Sequence, residues 1–267
     1  MAVNWRSDED LSSDLASKVP QVTVMFWLIK ILATTVGETG GDAVSMTLNL
    51  GYAVATLIFL AFFAITLATQ VASKRYHPFA YWAVVVATTT VGTTMSDYLD
   101  RTAGLGYVKS SLALFCGVLV ILFVWHRVSG RIKFEDITSK KDETFYWLTI
   151  LVSNTLGTAL GDFVATTTGL GFERGALLFA GLLAVLAAAH FWLKKIPVSV
   201  LFWSAYILTR PLGATLGDTL TKPYAEGGLQ LGRITSSLAI AALMVVGIVL
   251  LSRSMQTRSV LSTAAES

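Results

Sequence analysis

Four aspartates recur at one fixed spacing. Asp42, Asp97, Asp162 and Asp218 each stand fifteen residues after a tryptophan (Trp27, Trp82, Trp147, Trp203) and five after a glycine (Gly37, Gly92, Gly157, Gly213), and the segments between align without gaps. An ionised Asp facing lipid costs about 2.5–3.5 kcal/mol on insertion scales, so four acids in apolar surroundings are expected to face a bundle interior. On a helix, the positions four and seven before each Asp share its face. These are Glu38 and Thr35, Thr93 and Thr90, and Thr158 and Thr155, but Ala214 and Pro211 in the last copy. Carboxylate and hydroxyl oxygens are the ligands that hard divalent cations take. Asp42, Asp97, Asp162, Asp218 and Glu38 are therefore the expected metal-binding or proton-carrying groups, with Thr35, Thr90, Thr93, Thr155 and Thr158 as supporting polar residues. Converging acids also titrate as a coupled set, which suits exchange of protons for a cation.

Two basic residues break the fourfold pattern. Lys30, Thr34, Glu38 and Asp42 lie four residues apart and form one ladder of charge, while Arg210 precedes Pro211 within the fourth copy. A proline inside a helix removes one backbone hydrogen bond and leaves a carbonyl free to line a cavity. Lys30 and Arg210 are read as counter-ions that stabilise an empty carrier, with snorkelling of Lys30 and neutralisation of an Asp by Arg210 as the plainer account. Gly37 and Gly41, Gly92 and Ser96, Gly157 and Gly161, and Gly213 and Gly217 are small-xxx-small pairs, the pattern by which membrane helices approach closely. On that pattern the aspartates themselves have a packing alternative, as caps or acceptors for a neighbouring backbone. His77, His126 and His190 fall at helix ends, and Cys116 is the only cysteine, which excludes a disulfide or a Cys-based metal cluster within the chain. No nucleophile elbow, phosphate loop or HExxH motif is present, and the chain is not read as an enzyme.

The elements that position these residues belong in a bilayer. Of 267 residues, 54% are hydrophobic and 14% charged, and the mean hydropathy is +0.65. A soluble domain carries roughly a quarter charged residues. Hydrophobic stretches near Val22–Thr34, Tyr52–Ala72, Leu112–Trp125, Ala176–Leu193 and Ile234–Leu251 approach the length of a spanning helix, about 20 residues. Three more, around Trp82, Trp147 and Trp203, are studded with Gly and Thr. The fold expected is all-α integral membrane: eight transmembrane helices as four parallel two-helix repeats around a pseudo-symmetric polar centre. The repeats cover approximately residues 21–75, 76–130, 142–196 and 197–254, between a polar tail (1–20, with no signal-peptide pattern) and a C-terminal tail (255–267). Leu50-Gly51-Tyr52, Leu105-Gly106-Tyr107 and Leu170-Gly171-Phe172 open the second helix of three copies, and the fourth departs with Glu226-Gly227-Gly228-Leu229. With both helices of a pair spanning, every copy has the same orientation and each Asp lies about 22 Å beyond its Trp. Trp is expected at the cytoplasmic interface, where its amphipathic ring is favoured.

Thirteen Lys/Arg fall on the loops and tails at the Trp end: Arg6, Lys18, Lys74, Arg75, Arg127, Arg131, Lys133, Lys140, Lys141, Lys194, Lys195, Arg253 and Arg258. Five, Arg101, Lys109, Arg174, Lys222 and Arg233, fall at the Asp end. The positive-inside rule then places both termini in the cytoplasm. The lipid bilayer is the expected partner, and nucleic acid is not.

The repeat resembles a family of bacterial membrane proteins, domain of unknown function 347, with four tandem repeats of two transmembrane segments and a characteristic tryptophan. The resemblance runs from about Val24 to Leu251 and is carried by Trp27, Trp82, Trp147 and Trp203 with their Gly and Asp partners. It implies a fold, a topology and a bacterial inner membrane, and it supplies no activity. Glu38-Thr-Gly-Gly-Asp42 is also similar to the Glu-x-Gly-Asp signature of certain manganese and calcium exporters, with one residue added. The expected function is a small transporter or exporter of a cation, most plausibly a divalent metal, with no cofactor beyond that bound or carried ion. The alternatives are a non-transporting scaffold or sensor that docks a partner through the basic loop Arg127–Lys141, and an exporter of a small organic solute or anion attracted by Lys30 and Arg210.

Overall fold

The computed structural model describes residues 19–73, 76–130, 132, 137, 139–193 and 195–266, with side chains in the last helix described as far as Arg253. Eight long helices and no strand occur among the described residues. They are α1 (Val24–Asp42), α2 (Gly51–Ala72), α3 (Pro78–Asp97), α4 (Gly106–Ser129), α5 (Lys140–Asp162), α6 (Phe172–Trp192), α7 (Val198–Thr221) and α8 (Arg233–Glu266). The expected tail from residue 255 is thus helical as far as Glu266. The N-terminal tail to Lys18, Lys74, Arg75, Lys194 and, within the basic loop between Arg127 and Lys141, residues 131, 133–136 and 138 lie outside the described residues.

Local chemistry sets the helix ends. Thr23 caps α1 by accepting from Phe26 N at 3.3 Å, and Ser139 caps α5 by accepting from Asp142 N at 3.0 Å. His77 caps α3, where Pro78 supplies a φ already helical and lacks the N–H that would be orphaned there. Beyond each Asp, α1, α3 and α5 widen into a five-residue π-helical turn (Ala43–Thr47, Tyr98–Thr102, Phe163–Thr167). The chain then reverses through paired left-handed residues, Asn49 and Gly51, Gly104 and Gly106, Gly169 and Gly171, which is why glycine recurs at these turns. The fourth copy closes differently. Leu229, Gln230 and Leu231 donate their N–H groups to the carbonyls of Thr219, Lys222 and Leu220, satisfying the open end of α7.

Packing follows chain order. Each of α1, α3, α5 and α7 packs on two others of this set, closing a four-helix ring in the order α1, α3, α5, α7. The second helix of each pair lies outside, against the first helix of the next pair: α2 on α3, α4 on α5, α6 on α7, and α8 back on α1. Glycines set the ring's tightness. A Cβ at Gly37 would overlap Thr89, one at Gly157 would overlap Arg210, and one at Gly213 would overlap Thr34; at Gly92 it would stand 2.9 Å from the backbone of Asn154. In every case the partner lies seven residues after the Trp of the next copy, so one contact is repeated around the ring.

Among the described residues, five helices are long and apolar enough to cross a membrane: α2, α4, α6, α8 over Arg233–Arg253, and α5 with its π-helical turn. Four of these are outer helices and carry exposed Leu, Ile, Val and Phe, including Leu57, Phe62, Phe115, Leu119, Leu177 and Leu243. Such a surface suits hydrocarbon. The inner helices α1, α3 and α7 fall short because threonines, glycines and charges take up their buried faces. Three of the four repeat tryptophans are packed inside the bundle: Trp82, Trp147 and Trp203 are 0%, 3% and 5% exposed and join Phe26, Tyr81, Tyr146, Phe202 and Tyr206 in the aromatic core at that end of the ring, with Trp27 half-buried against it. Aromatic pairs add about 0.5–1.5 kcal/mol beyond the area they bury.

Candidate functional site

All four aspartates are buried at the ring's far end from the tryptophans, 1–2% exposed. They are grouped in twos by basic residues. Arg101, in the π-helical turn after α3, reaches Asp97 at 3.1 Å through Nε and Asp162 at 3.5 Å through Nη2. Lys222, just past α7, reaches Asp218 at 3.3 Å and Asp42 at 3.4 Å, and Arg233 lies 3.6 Å from Asp42. Burial opposes the charge on Lys222, but Asp218 and Asp42 outweigh it and hold its pKa above the ordinary lysine range. The four acids thus do not share a single centre by themselves; two cations divide them into an α3–α5 pair and an α7–α1 pair.

Glu38 joins the second pair. Oxygens of Glu38, Asp42 and Asp218 lie within 4.8 Å of one another, and all three residues are buried. Gly217 makes this approach, since any side chain there would strike Glu38 Cβ at 2.8 Å. Asp42 Oδ1 accepts no hydrogen bond, and Thr158, at the level of Glu38 on α5, has a hydroxyl without a partner. Asp100 is a further buried acid, held by Ser96 and Ser110.

One turn or more toward the tryptophans, Arg210 crosses the ring. Its Nη2 donates to Glu38 Oε2 at 2.9 Å on α1 and to Thr93 Oγ1 at 2.6 Å on α3, the helix diagonal to its own. The guanidinium therefore lies across the axis. The helix itself continues through Pro211 without interruption. Beyond Arg210, Tyr81 and Tyr146 share a hydrogen bond at 2.6 Å, and Lys30 Nζ rests 4.2 Å over the Tyr206 ring. Lys30 is 0% exposed, so it does not snorkel to a surface.

The sequence-derived candidates fare unevenly. Glu38, Asp42, Asp218 and Thr93 are brought together with Arg210, while Asp97 and Asp162 meet around Arg101. Thr35, Thr90 and Thr155 are buried on the same faces, but each spends its hydroxyl on a carbonyl of its own helix: Ile31 at 2.9 Å, Ala87 at 2.9 Å and Leu151 at 3.0 Å. Lys30 and Thr34 continue the ladder below Glu38, but Lys30 contacts an aromatic ring and no acid. Sequence reasoning missed Arg101, Lys222 and Arg233, which counted only as loop charges. A signal existed for two: Arg101 and Lys222 stand four residues after Asp97 and Asp218, one helical turn on the same face.

Four segments, residues 25–76, 80–131, 145–195 and 201–257, match the family described as Repeat of Unknown Function (DUF347). The chain belongs to this family. The four matches take in all four Trp, Gly and Asp triplets, so the buried acids and the glycine contacts fall inside the family's repeat. No curated protein and no solved structure matches the chain.

Proposed function

We propose that this DUF347 protein is a small multipass carrier for a divalent metal cation, bound at Glu38, Asp42 and Asp218. The observation that carries the reading is the meeting of three carboxylates within 4.8 Å on α1 and α7, all withdrawn from solvent. Oxygen-rich clusters of this kind are what hard divalent cations require. The same oxygens are held by Arg210 and Lys222, so a divalent ion takes over contacts that two positive charges make in its absence. This exchange also favours a carrier over an open pore. Arg210 lies across the axis, and a buried positive charge with an aromatic layer beyond it bars continuous cation flow.

In this reading all eight helices span the bilayer of the bacterial inner membrane, with the four copies related by a pseudo-fourfold axis along its normal and both termini in the cytoplasm. The cyclic order of packing and the repeated glycine contact support the axis. The excess of basic residues at the Trp end supports the orientation. Asp97 and Asp162, kept by Arg101, act as a proton-carrying pair on the opposite side of the ring.

Flux into proteoliposomes tests the proposal. With manganese, zinc, calcium and magnesium offered in turn, and internal pH followed by a trapped dye, wild type is expected to move at least one ion. Asp218→Asn and Glu38→Gln are expected to reduce that movement by tenfold or more, whereas Thr35→Val leaves it near wild type. Absence of flux and of binding for every ion, in protein shown to be folded, would overturn the reading in favour of a scaffold.

A further inference from the structure

Lys30 and Arg210 are both 0% exposed, and both keep donor groups that no protein atom accepts: Lys30 Nζ, and Arg210 Nε and Nη1. Burial of a charged donor without an acceptor is among the costliest arrangements a protein interior can hold. The two residues are neighbours in space. Lys30 rests on the Tyr206 ring, and Tyr206 lies one helical turn before Arg210 on the same helix. Glu38 does not relieve them both. It engages the Nη2 corner of Arg210 alone, and Lys30 forms no ion pair.

We propose that Lys30 and Arg210 form a buried binding site for a compact monovalent anion of the halide class, on the Trp side of the acidic cluster. The donor set selects the ligand. An ammonium and the free Nη1 of a guanidinium offer N–H groups only, so the occupant must accept hydrogen bonds and carry negative charge. Its size is bounded by enclosure. Lys30, Tyr206 and Arg210 are all 0% exposed, so the occupant is a single small ion and not an extended solute that would reach a surface. Tyr206 then serves as floor, with the Lys30 ammonium held between its ring and the anion. The inference concerns different atoms from the cation cluster and does not rest on the carrier reading.

The test is thermal unfolding of the purified full chain in detergent, comparing sodium chloride or bromide with sodium gluconate at equal ionic strength. Wild type is expected to gain about 5 °C, saturably, in the halide, since a ligand that binds only the folded state raises the midpoint in this way. Lys30→Met is expected to lose that gain. A second measurement, independent of how Lys30→Met folds, is broadening of the chloride magnetic resonance line by wild type, reversed by bromide. Asp218→Asn, which removes a cation ligand, is expected to keep the full halide response, so failure of the cation reading and failure of this one are distinguishable. Equal midpoints for wild type in halide and gluconate, together with no line broadening, would show that Lys30 is buried as the neutral amine and overturn the proposal. An unchanged halide response in folded Lys30→Met would also overturn it.

Discussion

Among the described ion pairs, Arg210 is the most deeply buried base. It pairs with Glu38 at 2.9 Å and is fully buried, as is nearly all of Glu38. Removing one partner of such a pair leaves an uncompensated charge and costs about 3–5 kcal/mol, whereas removing both together costs much less. Arg210→Met is therefore expected to lower the unfolding midpoint in detergent by about 10 °C, with Glu38→Gln/Arg210→Met recovering at least half of the loss. Equal midpoints for the single and double variants would show that the pair does not act as a unit. At this scale the sequence disclosed which side chains carry charge in the wrong solvent. It did not disclose partners: Arg210 reaches Thr93 from 117 residues away, and Lys222 reaches Asp42 from 180.

Helices α3 and α5 meet at Gly92, where an added methyl would stand 2.9 Å from the backbone of Asn154. Backbone cannot yield as a flexible side chain does, so the helices must separate. Gly92→Ala is expected to cost about 1–3 kcal/mol by overpacking. On α6, Gly181 has open space around it, and Gly181→Ala is expected to leave the midpoint unchanged or raise it, since alanine favours helix by about 1 kcal/mol over glycine. Paired unfolding scans of the two variants check this, and equal destabilisation would remove the distinction between ring and outer glycines. The glycine spacing was legible as a packing signal because small-xxx-small pairs fall on one helical face. Which helix each glycine receives was not, since spacing within one helix holds no information about its neighbour.

For the whole molecule, the separation of an apolar outer layer from a polar inner ring leads to a topology that can be measured. Cys116 is exposed on the outer face of α4, where lipid is expected to cover it. A membrane-impermeant maleimide should leave Cys116 unlabelled in intact membranes and react after transfer to denaturing detergent. In a Cys116→Ser background, Ala103→Cys at the Asp end should label from the outside of intact cells, and Thr144→Cys at the Trp end only after the membrane is opened. Reversal of the last two results would invert the orientation and with it the side from which the acidic cluster is reached.

Length, hydropathy and a fifteen-residue interval repeated four times were enough to determine that the chain is helical, membrane-like and built of four copies, because these properties depend on each segment's own composition and period. The same interval marked the four aspartates and their glycines. Tertiary structure alone decided how the copies close into a ring, that Arg101 and Lys222 split the acids into two pairs, and that Trp82, Trp147 and Trp203 lie inside. Each of those outcomes depends on contacts between helices far apart in sequence, where the geometry of approach selects which charges meet.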